Sequence, residues 1–296
     1  MNAHENVLSI EGSGHVIARR DGRLGSILVE DGKLDVTDIE RILELQRTEG
    51  FRFGEIALRL GLIGEDDLRC AVAKQFDIPH FQPGTESVSS ELVVAYEPFN
   101  ARAEELRALR TQLLIRWSKA GAGHRMLTIV SPGTAEGRSY VTANLAVAFS
   151  QVGERTLLID ADLRNPRQHR IFNIADRVGL STVLSGRADQ GAVVPVPQFG
   201  TLFVLPAGIC PPNPQELLLR PALAGLLEAL RSEFDVILLD TPPAKRYADA
   251  QSLAFRAGNA MVLARKDQSS LADTVGVIRE LANTGASIVG TVFNAY

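Results

Sequence analysis

Ser131-Pro132-Gly133-Thr134-Ala135-Glu136-Gly137-Arg138-Ser139-Tyr140 is the stretch on which the fold turns. Ahead of it, residues 126–130 form a short apolar run of strand type. Behind it, residues 141–152 have helical spacing, with Leu145, Ala148 and Phe149 on one side. A glycine-bearing turn between a strand and a helix N-terminus gathers free backbone N–H groups at the positive end of a helix dipole, and so cradles an anion. The general phosphate-loop pattern ends Gly-Lys-Ser/Thr, whereas this one ends Gly137-Arg138-Ser139. Ser139 has the hydroxyl that holds Mg²⁺ in such loops. Arg138 keeps the positive charge, as a long planar fork in place of a compact ammonium. An ordinary strand–turn–helix corner is the competing reading of the loop by itself.

Downstream, strand and helix patterns alternate, which predicts an α/β fold with a parallel sheet and helices on both faces. Strands are expected at 156–160, 202–205, 236–239, 261–264 and 288–293, and helices at 141–152, 221–232, 249–256 and 270–283. Ligands of such sheets sit at the carboxyl ends of the strands. Two of those ends are acidic: Asp160-Ala161-Asp162-Leu163-Arg164-Asn165-Pro166, and Asp240-Thr241-Pro242-Pro243. A lone strand-end Asp usually caps the next helix. Three acids beside a phosphate loop repel one another unless a cation sits among them, and Mg²⁺ bridging nucleotide phosphates answers that need.

Upstream, an internal repeat appears at an offset of 29 residues. Arg23-Leu24-Gly25 recurs as Arg52-Phe53-Gly54. Ile27 matches Ile56, Leu28 matches Ala57, Gly32 matches Gly61, Leu34 matches Ile63, Ile39 matches Leu68, Leu43 matches Val72, and Gln46 matches Gln75. Each copy reads as two helices, with Gly32 as a left-handed cap and Asp35 opening the second helix. Two short helix pairs bury little alone, so the copies should pack together as one small all-α domain over residues 21–82. Residues 1–20 read as a flexible lead-in and 83–100 as a linker. From 101 begins an amphipathic helix, with Leu106, Leu109, Leu113 and Trp117 on one side and Glu104, Arg107 and Arg110 on another.

The chain is 45% hydrophobic and carries a net charge of −4, which argues against a nucleic-acid partner. No apolar run approaches a membrane span, and the first residues lack the basic and apolar regions of a secretory signal. Cys70 and Cys210, with no metal-type spacing, read as reduced thiols.

The 101–296 half resembles the bacterial tyrosine kinases, whose phosphate-loop fold is related to the partitioning ATPases. More narrowly, the chain resembles the EpsG-like chain-length-determinant group of exopolysaccharide biosynthesis. The family loop, Ser-Pro-Gly-x-Gly-Glu-Gly-Lys-Ser/Thr, is matched except at Ala135 and Arg138. Its Asp-x-Asp-x-Arg-x-Pro motif is met by Asp160, Asp162, Arg164 and Pro166, and its Asp-Thr/Ser-Pro-Pro by Asp240 to Pro243. The Pro-Pro-Asn-Pro-x-Glu-Leu-Leu stretch runs from Pro211 to Leu218.

That resemblance implies an ATP-binding protein-tyrosine autokinase. Asp160 would take the tyrosine proton. Ser139, Asp162 and Asp240 would hold Mg²⁺. Gly133, Thr134, Ala135, Glu136, Gly137, Arg138, Ser139, Tyr140 and Asn294 would bind ATP, with Asn294 near the adenine. Asp160, Asp162 and Arg138 are the catalytic set it implies. Glu104, Arg107 and Arg110 match the family's oligomerisation motif and imply a ring. Tyr296 is the candidate phosphoacceptor. A membrane polysaccharide co-polymerase is the implied activator, recruiting a cytoplasmic protein to the inner membrane face.

The repeat resembles the cyclic di-GMP-binding N-terminal domain of type II secretion and pilus ATPases. It implies a ligand set of Arg23, Leu24, Gly25, Leu28, Gly32, Ile39, Leu43 and Gln46 with Arg52, Phe53, Gly54, Ala57, Gly61, Leu68, Val72 and Gln75. The competing readings are a catalytically weak ATP-binding scaffold that reports cyclic di-GMP, and a partitioning-type ATPase. Against the latter, the loop opens without that group's extra lysine.

Overall fold

The computed structural model describes residues 21–75, 88–119 and 125–295. The chain divides into two compact units, with the boundary between residues 78 and 79.

The first unit contains α1 (Asp21–Glu30), α2 (Val36–Glu49), α3 (Phe53–Arg59) and α4 (Glu65–Gln75), the two helix pairs that the repeat predicts. Gly32 and Gly61 follow α1 and α3 at φ +67° and +68°, a left-handed conformation that glycine adopts without a Cβ clash. Asp35 caps α2 by accepting the Asp38 N–H at 2.8 Å, and the Asp38 carboxylate returns to the Asp35 N–H at 3.1 Å. At the second copy Gly64 has no side chain, so only the return half survives, from the Gly64 N–H to Asp67 at 3.0 Å. Gly25 and Gly54 serve packing: an added Cβ would lie 3.3 Å from the Phe53 ring and 2.7 Å from Leu68 respectively.

Leu24, Leu28, Phe53 and Ala57 are buried in one core with Ile42, Ile56 and Ile63. Ile39, Leu43, Leu68 and Val72 border that core and are half-buried, as are Gln46 and Gln75, while Gly32, Arg52 and Gly61 are exposed. The Arg23 side chain lies outside the described residues.

The second unit starts with α5 (Val93–Tyr96) and α6 (Ala101–Lys119). It continues β1 (Arg125–Val130), α7 (Arg138–Ser150), β2 (Thr156–Asp160), α8 (Gln168–Ile171), α9 (Leu180–Leu184), β3 (Val194–Pro195), β4 (Leu202–Leu205), α10 (Pro214–Leu219), α11 (Pro221–Arg231), β5 (Val236–Asp240), α12 (Asp249–Ala257), β6 (Asn259–Arg265), α13 (Leu271–Asn283) and β7 (Ser287–Asn294). The sheet order is β3-β4-β2-β5-β1-β6-β7, parallel except for the two-residue β3 against β4. Alternate residues face opposite layers. On β5, Val236 and Leu238 join the core beneath α6 and α7, while Ile237 and Leu239 join the one beneath α9 to α12. The expected apolar side of α6 is where it was placed: Leu106, Leu113 and Trp117 are buried, and Trp117 stacks on Phe149 of α7 at 5.7 Å.

The stretch read as a linker needs correcting in its described part. Val88 and residues 92–96 are buried in the core of the second unit. The apolar run Leu92-Val93-Val94-Ala95-Tyr96 is long enough to require cover, and α7 provides it. Asn144 on α7 accepts the Val94 N–H at 3.2 Å and donates to the Glu91 carbonyl at 2.9 Å, and Gln151 donates to the Val94 carbonyl at 3.3 Å. Asn144→Ala strands two backbone groups in or near the core. The expected cost is about 2–4 kcal/mol, read as a lower urea midpoint at unchanged m value.

Candidate active site

The phosphate loop joins β1 to α7. Gly137 caps α7 at φ +98°, and a Cβ there would collide with the Asn294 amide, which donates to the Glu136 carbonyl at 3.1 Å. Thus Asn294, the last residue of β7, braces the loop. Glu136 is nearly enclosed. It accepts the Gly133 N–H at 2.5 Å and the Ser269 hydroxyl, folding the loop on itself. Ala135 sits at φ +56°, in the left-handed region. The Ala135 carbonyl is held by Arg265 at 2.6 Å and the Thr134 carbonyl by Gln268 at 2.6 Å. Sequence reasoning passed over these three bracing side chains because they lie about 130 residues downstream.

The register of β2 on β5 sets Asp160 directly beside Asp240. Both occupy the parity of Leu158 and Leu238, so both face the layer that carries α7. Both are fully buried. One oxygen of Asp160 accepts the N–H groups of Arg167 and Gln168, at 3.1 and 3.0 Å, and one oxygen of Asp240 accepts the Gln168 amide at 2.7 Å. Gln168 also donates to the Ser139 carbonyl at 3.1 Å, tying α8 to α7 and β5. It is a site residue that sequence reasoning missed; nothing but the tertiary register marks it. Burial, then the neighbouring Asp240, pushes the Asp160 carboxyl well above the usual range. Burial raises Asp240 too, against the Gln168 and Ser139 hydrogen bonds and the Arg138 charge. Asp162 closes a turn by accepting the Arg164 and Asn165 N–H groups at 3.1 and 2.9 Å. Arg164 in turn grips the buried Asp249 with two nitrogens, at 2.8 and 3.2 Å, and stacks 3.8 Å above Tyr247.

A cavity of about 330 Å³ opens over the loop, lined among others by Thr134 to Ser139, Asp162 and Asn165. Of the expected ATP residues, Gly133, Tyr140 and Asn294 stand outside that lining. Gly133 and Asn294 shape the loop, and Tyr140 packs on the core. Asp160 and Asp240 are enclosed beside the cavity and do not line it.

Asp160 Oδ1, Asp240 Oδ1 and Gln168 Oε1 are buried with no hydrogen-bond partner. Three acceptors that lack donors suit a hydrated cation, whose waters donate to all of them. Among the described residues no three acid, His or Cys side chains form a ready-made metal cage.

Among the residues proposed for oligomer contact, Glu104 is largely exposed and pairs with Arg107 at 2.9 Å. Arg107 also donates to the Pro98 carbonyl. Arg110 donates to the Ala148 carbonyl at 3.0 Å, capping the end of α7 within the same chain. Tyr296 lies outside the described residues.

Comparison with known proteins agrees with this geometry. A family model described as the NUBPL iron-transfer P-loop NTPase, of the ParA type, matches residues 124–295. A putative tyrosine-protein kinase, CapB of Staphylococcus aureus, is 31% identical over 209 residues, which are 71% of this chain and 91% of CapB. The chain belongs to the bacterial tyrosine-protein kinase family of P-loop NTPases. The kinase domain of the Escherichia coli tyrosine kinase ETK superposes with a TM-score of 0.67 at 27% identity, covering 73% of this chain and 83% of that one. The putative tyrosine-protein kinase EpsB of Ralstonia solanacearum is 36% identical over 198 residues, 67% of this chain. The chain spans about a quarter of EpsB's length, 26%. Family membership implies nucleotide and Mg²⁺ use. No helix among the described residues is long and apolar enough to cross a membrane.

The paired acids are a stability cost as well as a site. A carboxyl raised above its unfolded value favours the fold while protonated, and that contribution is lost as pH rises through the folded value. Asp160→Asn should therefore stabilise the nucleotide-free protein at pH 8. Urea unfolding at pH 8 and pH 5 should show the gain shrinking at the lower pH.

Proposed function

We propose that the second unit transfers the γ-phosphoryl group of MgATP to tyrosine hydroxyls on copies of its own chain, and that the protein thereby regulates exopolysaccharide chain length. The observation that carries this is the phosphate loop and its cavity with Asp160 enclosed beside them, a buried carboxylate with one oxygen free of partners that opening of the site to substrate would bring to a tyrosine hydroxyl as a general base. Asp160 accepts the tyrosine proton as the phenolate oxygen forms its bond to the γ-phosphorus. The bond from that phosphorus to the β–γ bridging oxygen breaks, and ADP leaves. Ser139, with Asp162 and Asp240 directly or through water, would hold Mg²⁺, which would supply positive charge to the phosphate oxygens. Loop N–H groups, with Thr134 and Ser139 lining the cavity, orient the triphosphate.

Glu104, the exposed member of its row, supports a ring contact between copies, with Tyr296 as acceptor in a neighbour. A membrane polysaccharide co-polymerase is the partner and activator in this reading. Incubation of the purified protein with MgATP should yield phosphotyrosine, and Asp160→Asn should abolish it. Hydrolysis without phosphotyrosine would point to a partitioning-type ATPase, and tight ATP binding with neither to a scaffold.

For the first unit the reading is a cyclic di-GMP sensor. Its support is the tandem repeat itself, with exposed Arg52 and two left-handed glycines at matching positions. Isothermal titration of the full chain with cyclic di-GMP should release heat that an Arg23→Ala/Arg52→Ala variant loses. A silent wild type removes the assignment.

A further inference from the structure

The loop cavity is lined by three arginines, Arg138, Arg167 and Arg246, and their commitments differ. Arg138 occupies the position of the family lysine, yet its guanidinium is turned into the protein. Nε donates to the Thr241 carbonyl at 2.8 Å, and Nη1 donates to the Gly133 carbonyl at 2.5 Å and to the Ser131 hydroxyl. It is buried, and burial lowers its pKa against the pull of Asp240, Asp162 and Glu136. It ties the root of the loop to the end of β5. Arg167 is paired with both oxygens of Glu91, at 2.8 and 3.1 Å. The Arg246 guanidinium has no hydrogen-bond or ion-pair partner among the described residues.

The backbone around Arg246 is fixed to the loop. The Ala244 N–H donates to the Ser131 carbonyl at 3.0 Å, the Lys245 N–H to the Pro132 carbonyl at 3.1 Å, and the Arg246 N–H to the Pro243 carbonyl at 3.2 Å. On one side, the Lys245 ammonium is drawn off to Asp273 at 2.8 Å. On the other, Tyr247 is held under Arg164. Arg246 is thus the uncommitted cation on an anchored turn, at the rim of a cavity that also holds Ser139 and Asp162. Ser139 and Asp162 mark the metal end of a phosphate loop, where the β- and γ-phosphates lie and where a lysine ordinarily reaches.

We propose that Arg246 contacts the terminal phosphate of the bound nucleoside triphosphate, taking the place that the loop lysine holds elsewhere, while Arg138 serves as an internal staple. A guanidinium presents parallel donors that match two phosphate oxygens, and it stays charged at any working pH. The proposal rests on the nucleotide reading above and adds to it which residue reads the third phosphate.

The test is equilibrium binding to the full chain with Mg²⁺ present, comparing a non-hydrolysable ATP analogue with ADP. Wild type should prefer the triphosphate. Arg246→Ala should weaken the triphosphate about tenfold or more and leave ADP within about threefold, with Arg246→Lys in between. Thermal unfolding of each variant controls for folding. An equal loss for both nucleotides, or no loss, overturns the role of Arg246 and leaves nucleotide binding standing. A wild type that binds neither nucleotide overturns both.

Discussion

Two carboxylates lie side by side at the carboxyl edge of the sheet, and the rest of the site answers to them. Adjacent strands stand roughly 4.8 Å apart, so the register that pairs Asp160 with Asp240 forces two acids into contact distance in a buried layer. Burial first, and for Asp160 the neighbouring Asp240 next, raises the pKa of both, and the Gln168 amide is inserted to satisfy one oxygen. The remaining free oxygens call for something positive. Such a pair is costly to a core, since mutual repulsion and desolvation both oppose folding, and groups perturbed in this way cluster at functional sites.

In the loop above them Ala135 and Arg138 are each braced by neighbours. Ala135 holds a left-handed conformation that costs an L residue about 1–3 kcal/mol, and Arg265 and Gln268 clamp the loop carbonyls there. Arg138 stands where the general phosphate-loop pattern has a lysine. It folds inward onto Ser131, Gly133 and Thr241, which joins β1, the loop and β5 into one rigid piece. An arginine in this setting strengthens the cradle and leaves the charge facing the cavity to be supplied from another element.

The first unit shows how a repeat becomes a core. Its apolar positions at matching offsets converge on one cluster, and its glycines divide into two duties. Gly32 and Gly61 permit a left-handed turn, while Gly25 and Gly54 permit close approach by Phe53 and Leu68. Phe53, where the first copy has Leu24, fills the space that Gly25 leaves open, so the two copies interlock through a residue that differs between them.

The sequence by itself determined the alternation of strands and helices, the loop that opens α7, the acids at the ends of β2 and β5, and the paired helices of the repeat. These are local properties, set by periodicity, glycine and capping within a few residues, and each expected strand lies within the one observed. The two-residue β3 and the short helices α5, α8, α9 and α10 carry too little pattern to be read that way. Only the tertiary structure decided that Val88 and residues 92–96 belong to a core, because Asn144 and Gln151 had to be brought against them from about 50 residues away. It alone brought Gln168 between two carboxylates, turned Arg138 inward and left Arg246 at the cavity. The direction a side chain takes depends on partners assembled by sheet order and register, and neither is written in any one stretch of chain.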